Sequence, residues 1–179
     1  MPDQLALKTW SVVARFLHEG AGIVLLEKSW DARNSEIVLF PSYSGQDPQA
    51  LKPDVWMAWR HVLKPALEGH TYIRDCASVV DAVPIQSEGA LAVIDSEHAL
   101  HLPEALRRYR SDSPGLVAVV LRVRRLSRSY KFKDVMNQEG EGEFVPLPFE
   151  VDLEGATPVL PDDEFERRRK GVLAALGRG

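Results

Sequence analysis

The run Pro114–Leu126, PGLVAVVLRVRRL, limits the possible folds of this chain more than any other stretch. A Pro-Gly turn signal is followed by eight almost unbroken apolar residues, the pattern of a strand buried on both faces. Read with period two, Val117, Val119, Leu121 and Val123 share one face. Leu116, Ala118, Val120, Arg122 and Arg124 share the other. The first half is therefore interior, and the second half keeps one buried face while the other carries guanidinium groups. A sheet built around this strand, with its basic end near the surface, is the expected centre of the fold. Val119 and Leu121 are expected core residues.

The chain has 179 residues, the length of one domain. The division expected is a single α+β domain over 1–160, with a C-terminal helix over 161–179 packed on it or trailing from it. The lone cysteine, Cys76, leaves no internal disulfide and no multi-cysteine zinc site. Nothing reads as a signal peptide or a bilayer span, so the expected location is the cytoplasm. Net charge is −4, but it is distributed in blocks. Arg107 to Lys133 holds nine basic residues and one acid, whereas Asp134 to Glu166 holds eleven acids and no base. Such blocks either attract one another within the fold or serve partners.

Asp3 to Gly20 reads as a first helix, with Leu7, Trp10, Ala14 and Leu17 on one side. Residues 22–41 read as a hairpin, AGIVLLEK leading through a polar turn to EIVLF. Asp47-Pro48 opens a short helix and Pro53 another, with Trp56, Trp59, Leu63 and Leu67 on an inward stripe and Pro65 kinking or ending it. Tyr72 to Ile85 is a second long strand, in which Asp75 and Asp81 mark exposed ends. Ala90–Ile94 is a short strand or a helix start, and Pro103–Arg110 is a helix. Tyr130–Lys133 is a small separate strand, Gly140–Gly142 a loop, and Phe144–Val151 an edge strand on account of its two prolines. Asp162 caps a final helix with Phe165, Val172 and Leu176 inward. Strands and helices without strict alternation predict α+β architecture, a mixed, mostly antiparallel sheet or small β-barrel with flanking helices.

Several short patterns suggest chemistry and do not complete it. His98 and His101 have helical spacing for two imidazoles, but no further ligand follows at zinc-site spacing, so no metal is expected there. Ser42–Gly45 lacks the first glycine of a nucleophile elbow. Gly140 and Gly142 lie in an acidic stretch that repels phosphate, and Glu27-Lys28 are adjacent where a nuclease centre needs Glu-x-Lys. No catalytic residue and no cofactor is assigned. The basic run is the remaining signal. Arg107, Arg108 and Arg110 lie on a helix, Arg122 and Arg124 on one strand face, and Arg128, Lys131 and Lys133 follow. Tyr130 and Phe132 add stacking surfaces beside these phosphate-matching forks.

Five segments together resemble the domain-of-unknown-function family 1802 of bacteria and archaea. They are ALKTWSVVARFLHEG at Ala6–Gly20, LFPSY at Leu39–Tyr43, LKP at Leu51–Pro53, PEALRRY at Pro103–Tyr109 and VVLRVRRL at Val119–Leu126. Residues 26–30 (LEKSW) depart from the LRKGGI of similar proteins, His98–Leu102 only loosely echoes their HIWT, and their late GCxSW is missing. The resemblance implies little about activity. Similar domains sometimes accompany restriction-endonuclease-like modules, which points toward nucleic acid. The opening also looks like that of the RNA-binding barrels associated with pseudouridine synthases, a likeness of fold alone.

The expected function is a non-catalytic, nucleic-acid-associated module binding phosphate backbone through the Arg107–Lys133 face, with single-stranded nucleic acid as its partner. The alternative is a protein-interaction or regulatory domain that meets a partner, or its own basic face, through the acidic 134–166 segment.

Overall fold

The computed structural model describes residues 4–31, 35–111, 115–133, 144–147 and 149–178; the side chain of Phe132 lies outside the described set. The central strand is longer than its apolar run. β5 (Val117–Lys133) absorbs the Tyr130–Lys133 segment, so the expected separate strand is the far end of the same one. It pairs antiparallel with β4 (His70–Pro84) along nearly its whole length. Such a pair needs alternation rather than continuous hydrophobicity, and the polar half of β5 still alternates.

Around this pair the sheet is open and mostly antiparallel. β2 (Val24–Glu27) borders β5 on one side, and β3 (Glu36–Ser42), β1 (Leu5–Trp10) and β6 (Phe144–Pro146) follow β4 on the other. The two-residue β7 (Thr157–Pro158) pairs with Arg124 and Arg125 of β5. Among the described residues only β1 and β3 run parallel. β6 sits at the edge, where a proline costs no ladder hydrogen bond. Two expectations are corrected here. Residues 22–41 form no hairpin, since β2 joins β5 while β3 joins β4 and β1. The chain also opens with a strand, and helix α1 spans only Ser11–His18. Five consecutive buried residues, Ala6–Trp10, pack on both sides of the sheet, which a one-sided helix does not do.

The remaining helices are α2 (Pro53–Trp59), α3 (Glu88–Val93), α4 (Leu102–Ser111) and α5 (Asp162–Ala175). α2 ends in a 3-10 turn at Arg60–Val62, before Pro65. Trp56 and Trp59 pack against the core, Trp59 edge-on to Phe16 at 5.9 Å. α3 resolves the Ala90–Ile94 ambiguity, and Ser87 caps it through Ala90 N–H at 3.1 Å. Asp162 is the first residue of α5 and not its cap; Pro161 holds that position. The larger core draws on all five helices and the face of the sheet carrying Leu39, Ala77, Val119 and Leu121. A smaller cluster of Ala6, Val38, Phe40, Ile73, Leu147 and Val151 fills the reverse face. No helix among the described residues is long and apolar enough to cross a membrane.

Candidate functional site

The sequence-predicted basic residues do not form one surface. Arg107 and Arg108 both reach Glu104, at 2.7 and 2.8 Å, and together hold its carboxyl down to about 2. Arg110 pairs with Glu88 at 2.6 Å. Arg122 bonds Asp162 and lies over the Phe165 ring at 4.5 Å, and Arg124 bonds Glu36. Arg128 lies 4.8 Å from the ring centroid of Tyr130. Tyr130 in turn stacks on Phe149 and accepts a hydrogen bond from Asp152 N–H at 2.8 Å. Arg122 and Arg124 stand opposite Ser78 and Cys76, and Tyr130 belongs to the reverse-face cluster. Lys131 and Lys133 differ. Their cross-strand partners are Tyr72 and His70, and residues directly opposite project to the same side. Both are exposed, and no carboxylate meets either one among the described residues.

That side holds an open cleft of about 220 Å³ between α1, the 60–66 segment and the near end of β4. Its walls carry Arg15, Lys64 and Arg74, the imidazoles of His18 and His61, and the rings of Tyr43 and Tyr72; among the described residues Asp75 is the one acid lining it. Local structure explains the arrangement. A break in register between Ile73 and Asp75 sends Ile73 into the reverse-face cluster, while Arg74 and Asp75 both line the cleft. α1 has no side-chain cap of its own, and Gln46 supplies one from outside, accepting from Val12 N–H at 3.2 Å. Ser11 Oγ donates to Val62 O at 2.7 Å, which ties the 60–66 wall to the helix. At the other end of α1, Arg125 donates to His18 O at 2.9 Å, a cation at a helix C-terminus.

The His18 ring sits on Asp75, with Nδ1 at 2.8 and 3.0 Å from the two carboxylate oxygens. Asp75 is only 7% exposed, so its expected role as the marker of an exposed strand end is overturned. Asp81 is likewise engaged, accepting from Arg169 Nε at 2.6 Å. His18 Nε2 has no partner among the described residues. The cations divide by what they meet. Arg15 pairs with Glu19 at 2.7 Å, and Arg74 lies 5.6 Å from the Tyr72 ring centroid. No carboxylate meets Lys64 or Arg74 among the described residues. Sequence reasoning misses this site because its parts are scattered over more than sixty residues without a motif. An acid inside an apolar strand, Asp75, is the one usable signal.

The two histidines singled out by spacing part company. His98 is 1% exposed, whereas His101 is exposed just ahead of α4. Burial, reinforced by the Lys52 charge, pushes the His98 ring down to about 3; among the described residues neither ring nitrogen makes a side-chain hydrogen bond, and the Asp95 carboxylate stands 3.8 Å from Nε2. Lys52 Nζ donates to the carbonyl oxygens of Asp95 and His98, the latter at 2.6 Å, and burial lowers its own pKa. Between pH 6.5 and about 3 the unfolded chain binds a proton at His98 that the folded chain refuses. Stability is therefore full above pH 6.5 and falls as the pH drops through that window, by on the order of a few kcal/mol from this group. Denaturant titrations at stepped pH should show the fall in the natural protein. The same series on His98→Gln should show it reduced by one proton's slope.

Gly140–Gly142 and the rest of 134–143 lie outside the described residues. Among the described residues no cluster of three or more histidine, cysteine or carboxylate side chains is placed to hold a metal ion. No curated protein matches the sequence. The family model described as Domain of unknown function (DUF1802) matches residues 6–171, nearly the whole chain and all the elements that build the cleft. The chain belongs to the DUF1802 family.

Proposed function

We propose that this protein is a nucleic-acid-associated module that takes a single strand into the α1–β4 cleft, with Lys131 and Lys133 continuing its path along β5. The observation that carries this reading is the sorting of the cations. Those on α4 and at the middle of β5 are neutralised by Glu104, Glu88, Asp162 and Glu36. Lys64 and Arg74 meet no carboxylate among the described residues, and they line a cleft that also carries Tyr43 and Tyr72. Exposed cations beside aromatic faces are what a phosphate backbone and unstacked bases require. Lys131 and Lys133 are two apart on one strand, about 7 Å, near the spacing of consecutive phosphates.

The test is fluorescence anisotropy with short labelled single strands over a range of salt. Affinity should fall steeply as salt rises, through counterion release. Lys64→Ala/Arg74→Ala should weaken binding and reduce the log–log salt slope by roughly 1–1.5, at about 0.7 for each phosphate that is no longer neutralised. Arg122→Ala/Arg124→Ala should cost some stability and leave binding unchanged. No binding of any single-stranded or duplex oligonucleotide at tens of micromolar and low salt would retire this reading in favour of a protein partner.

A further inference from the structure

We propose that His18, oriented by Asp75, is the general base of a metal-independent RNA-cleaving site in this cleft. The inference rests on the nucleic-acid reading above and adds a reaction to it. A carboxylate only accepts hydrogen bonds, so the contacts of Asp75 at 2.8 and 3.0 Å place the ring proton on His18 Nδ1. In the neutral ring Nε2 then carries the lone pair, and it has no partner among the described residues. A buried carboxylate that fixes tautomer and orientation in this way also stabilises the imidazolium that forms when the ring takes a proton.

Among the described residues lining the cleft, no serine hydroxyl or cysteine thiol stands free for this base. Ser11 Oγ, the hydroxyl in the same wall, donates to Val62 O and accepts from Gln46 Nε2 at 2.9 Å. Cys76 is buried opposite Val38 and Arg124, on the reverse face, and burial pushes its thiol up. The nucleophile of this step is the substrate's own ribose 2′-hydroxyl, which stands next to the phosphate it attacks. His18 Nε2 takes the 2′-hydroxyl proton as the 2′-oxygen bonds to phosphorus. The bond from phosphorus to the 5′-oxygen breaks, and that oxygen leaves with a proton given by His61, the second imidazole of the lining. Lys64 and Arg74 stabilise the charge that builds on the phosphoryl oxygens. The products are a 2′,3′-cyclic phosphate and a 5′-hydroxyl. Bulk water takes up the proton that His18 gained and replaces the one that His61 gave.

The experiment uses the full chain with a chelator and a labelled DNA strand containing a single ribonucleotide, with an all-DNA strand as control. Cleavage is expected only 3′ of the ribonucleotide, with a cyclic phosphate identified by mass spectrometry. His18→Ala and His18→Gln should each lower the rate at least about 100-fold, far more than any loss of binding read by anisotropy. Asp75→Asn should lower kcat and leave KM close to the natural value; a purely structural role would instead lower the melting temperature and the active fraction. Binding without cleavage, or cleavage that survives both His18 variants, overturns this proposal and leaves the nucleic-acid reading intact. Failure to bind either strand overturns that reading and this proposal with it.

Discussion

Leu121→Ala should destabilise the protein by about 2–5 kcal/mol, the range for truncating a fully buried leucine whose surroundings cannot collapse into the gap. Leu121 is 0% exposed and stands opposite Val79 on β4. Its N–H also donates to Ile23 O at 2.8 Å, so the chain just ahead of β2 is fastened to the same residue. Sheet and helices enclose the side chain, and the loss is transfer energy plus an unfilled cavity. Thermal and denaturant melts give the number directly. A loss below half the lower bound would mean that β5 is not the centre of the fold. Val119, also 0% exposed, should behave alike on truncation, scaled to its smaller side chain.

Arg168→Ala should cost about 3 kcal/mol, the low end of the penalty for removing one partner of a buried ion pair, because this pair is largely but not fully buried. The Arg168 side chain is 11% exposed and that of Glu97 15%, with Nη2 to Oε2 at 2.6 Å. Nη1 also donates to Gly20 O at 2.7 Å and Nη2 to Ala21 O at 3.0 Å. One guanidinium thus fastens α5 to the turn after α1 and to the segment ahead of α4. Truncation strands the Glu97 carboxylate and two carbonyls together. Arg168→Lys should restore only part of the stability, because one ammonium cannot reproduce the planar fork. Melts of both variants check the order; equal stability of Arg168→Ala and the natural protein would show that α5 is not held here. The outcome also bears on domain organisation, since Phe165, Val172 and Leu176 already join the main core.

The parts of this fold legible in the sequence are those where local pattern and tertiary role agree. β5 is legible because a strand buried on both sides needs a continuous apolar run. α4 and α5 are legible through the acids and proline at their starts. The apparent hairpin fails because two short apolar runs across a polar turn say nothing about their partners, and long-range pairing with β4 and β5 wins. The first strand is hidden because Leu7, Trp10, Ala14 and Leu17 have helical spacing across what is really a strand–helix junction at Trp10. The cleft is illegible for a related reason. His18 and Asp75 are 57 residues apart and meet only because β4 loses register between Ile73 and Asp75. Among the basic residues, the pattern reveals the charge but not the acid each one finds. Arg122 and Arg124 look like a phosphate ladder until Asp162 and Glu36 close on them. Lys131 and Lys133, at the trailing end of the run, are carried by register to the cleft side, as is Arg125 opposite Asp75.

The most direct test of where a strand lies is photocrosslinking of a bound single-stranded oligonucleotide, with the modified residues identified by peptide mass spectrometry. The cleft places Tyr43 and Tyr72 among its walls, beside Lys64 and Arg74. Tyr130 and Phe149 stack on each other on the reverse face. Crosslinks at Tyr43 or Tyr72, abolished by Lys64→Ala/Arg74→Ala, are the predicted result. Crosslinks confined to Tyr130 and Phe149, unaffected by that double substitution, would contradict the account and return the strand to the opposite side of the sheet.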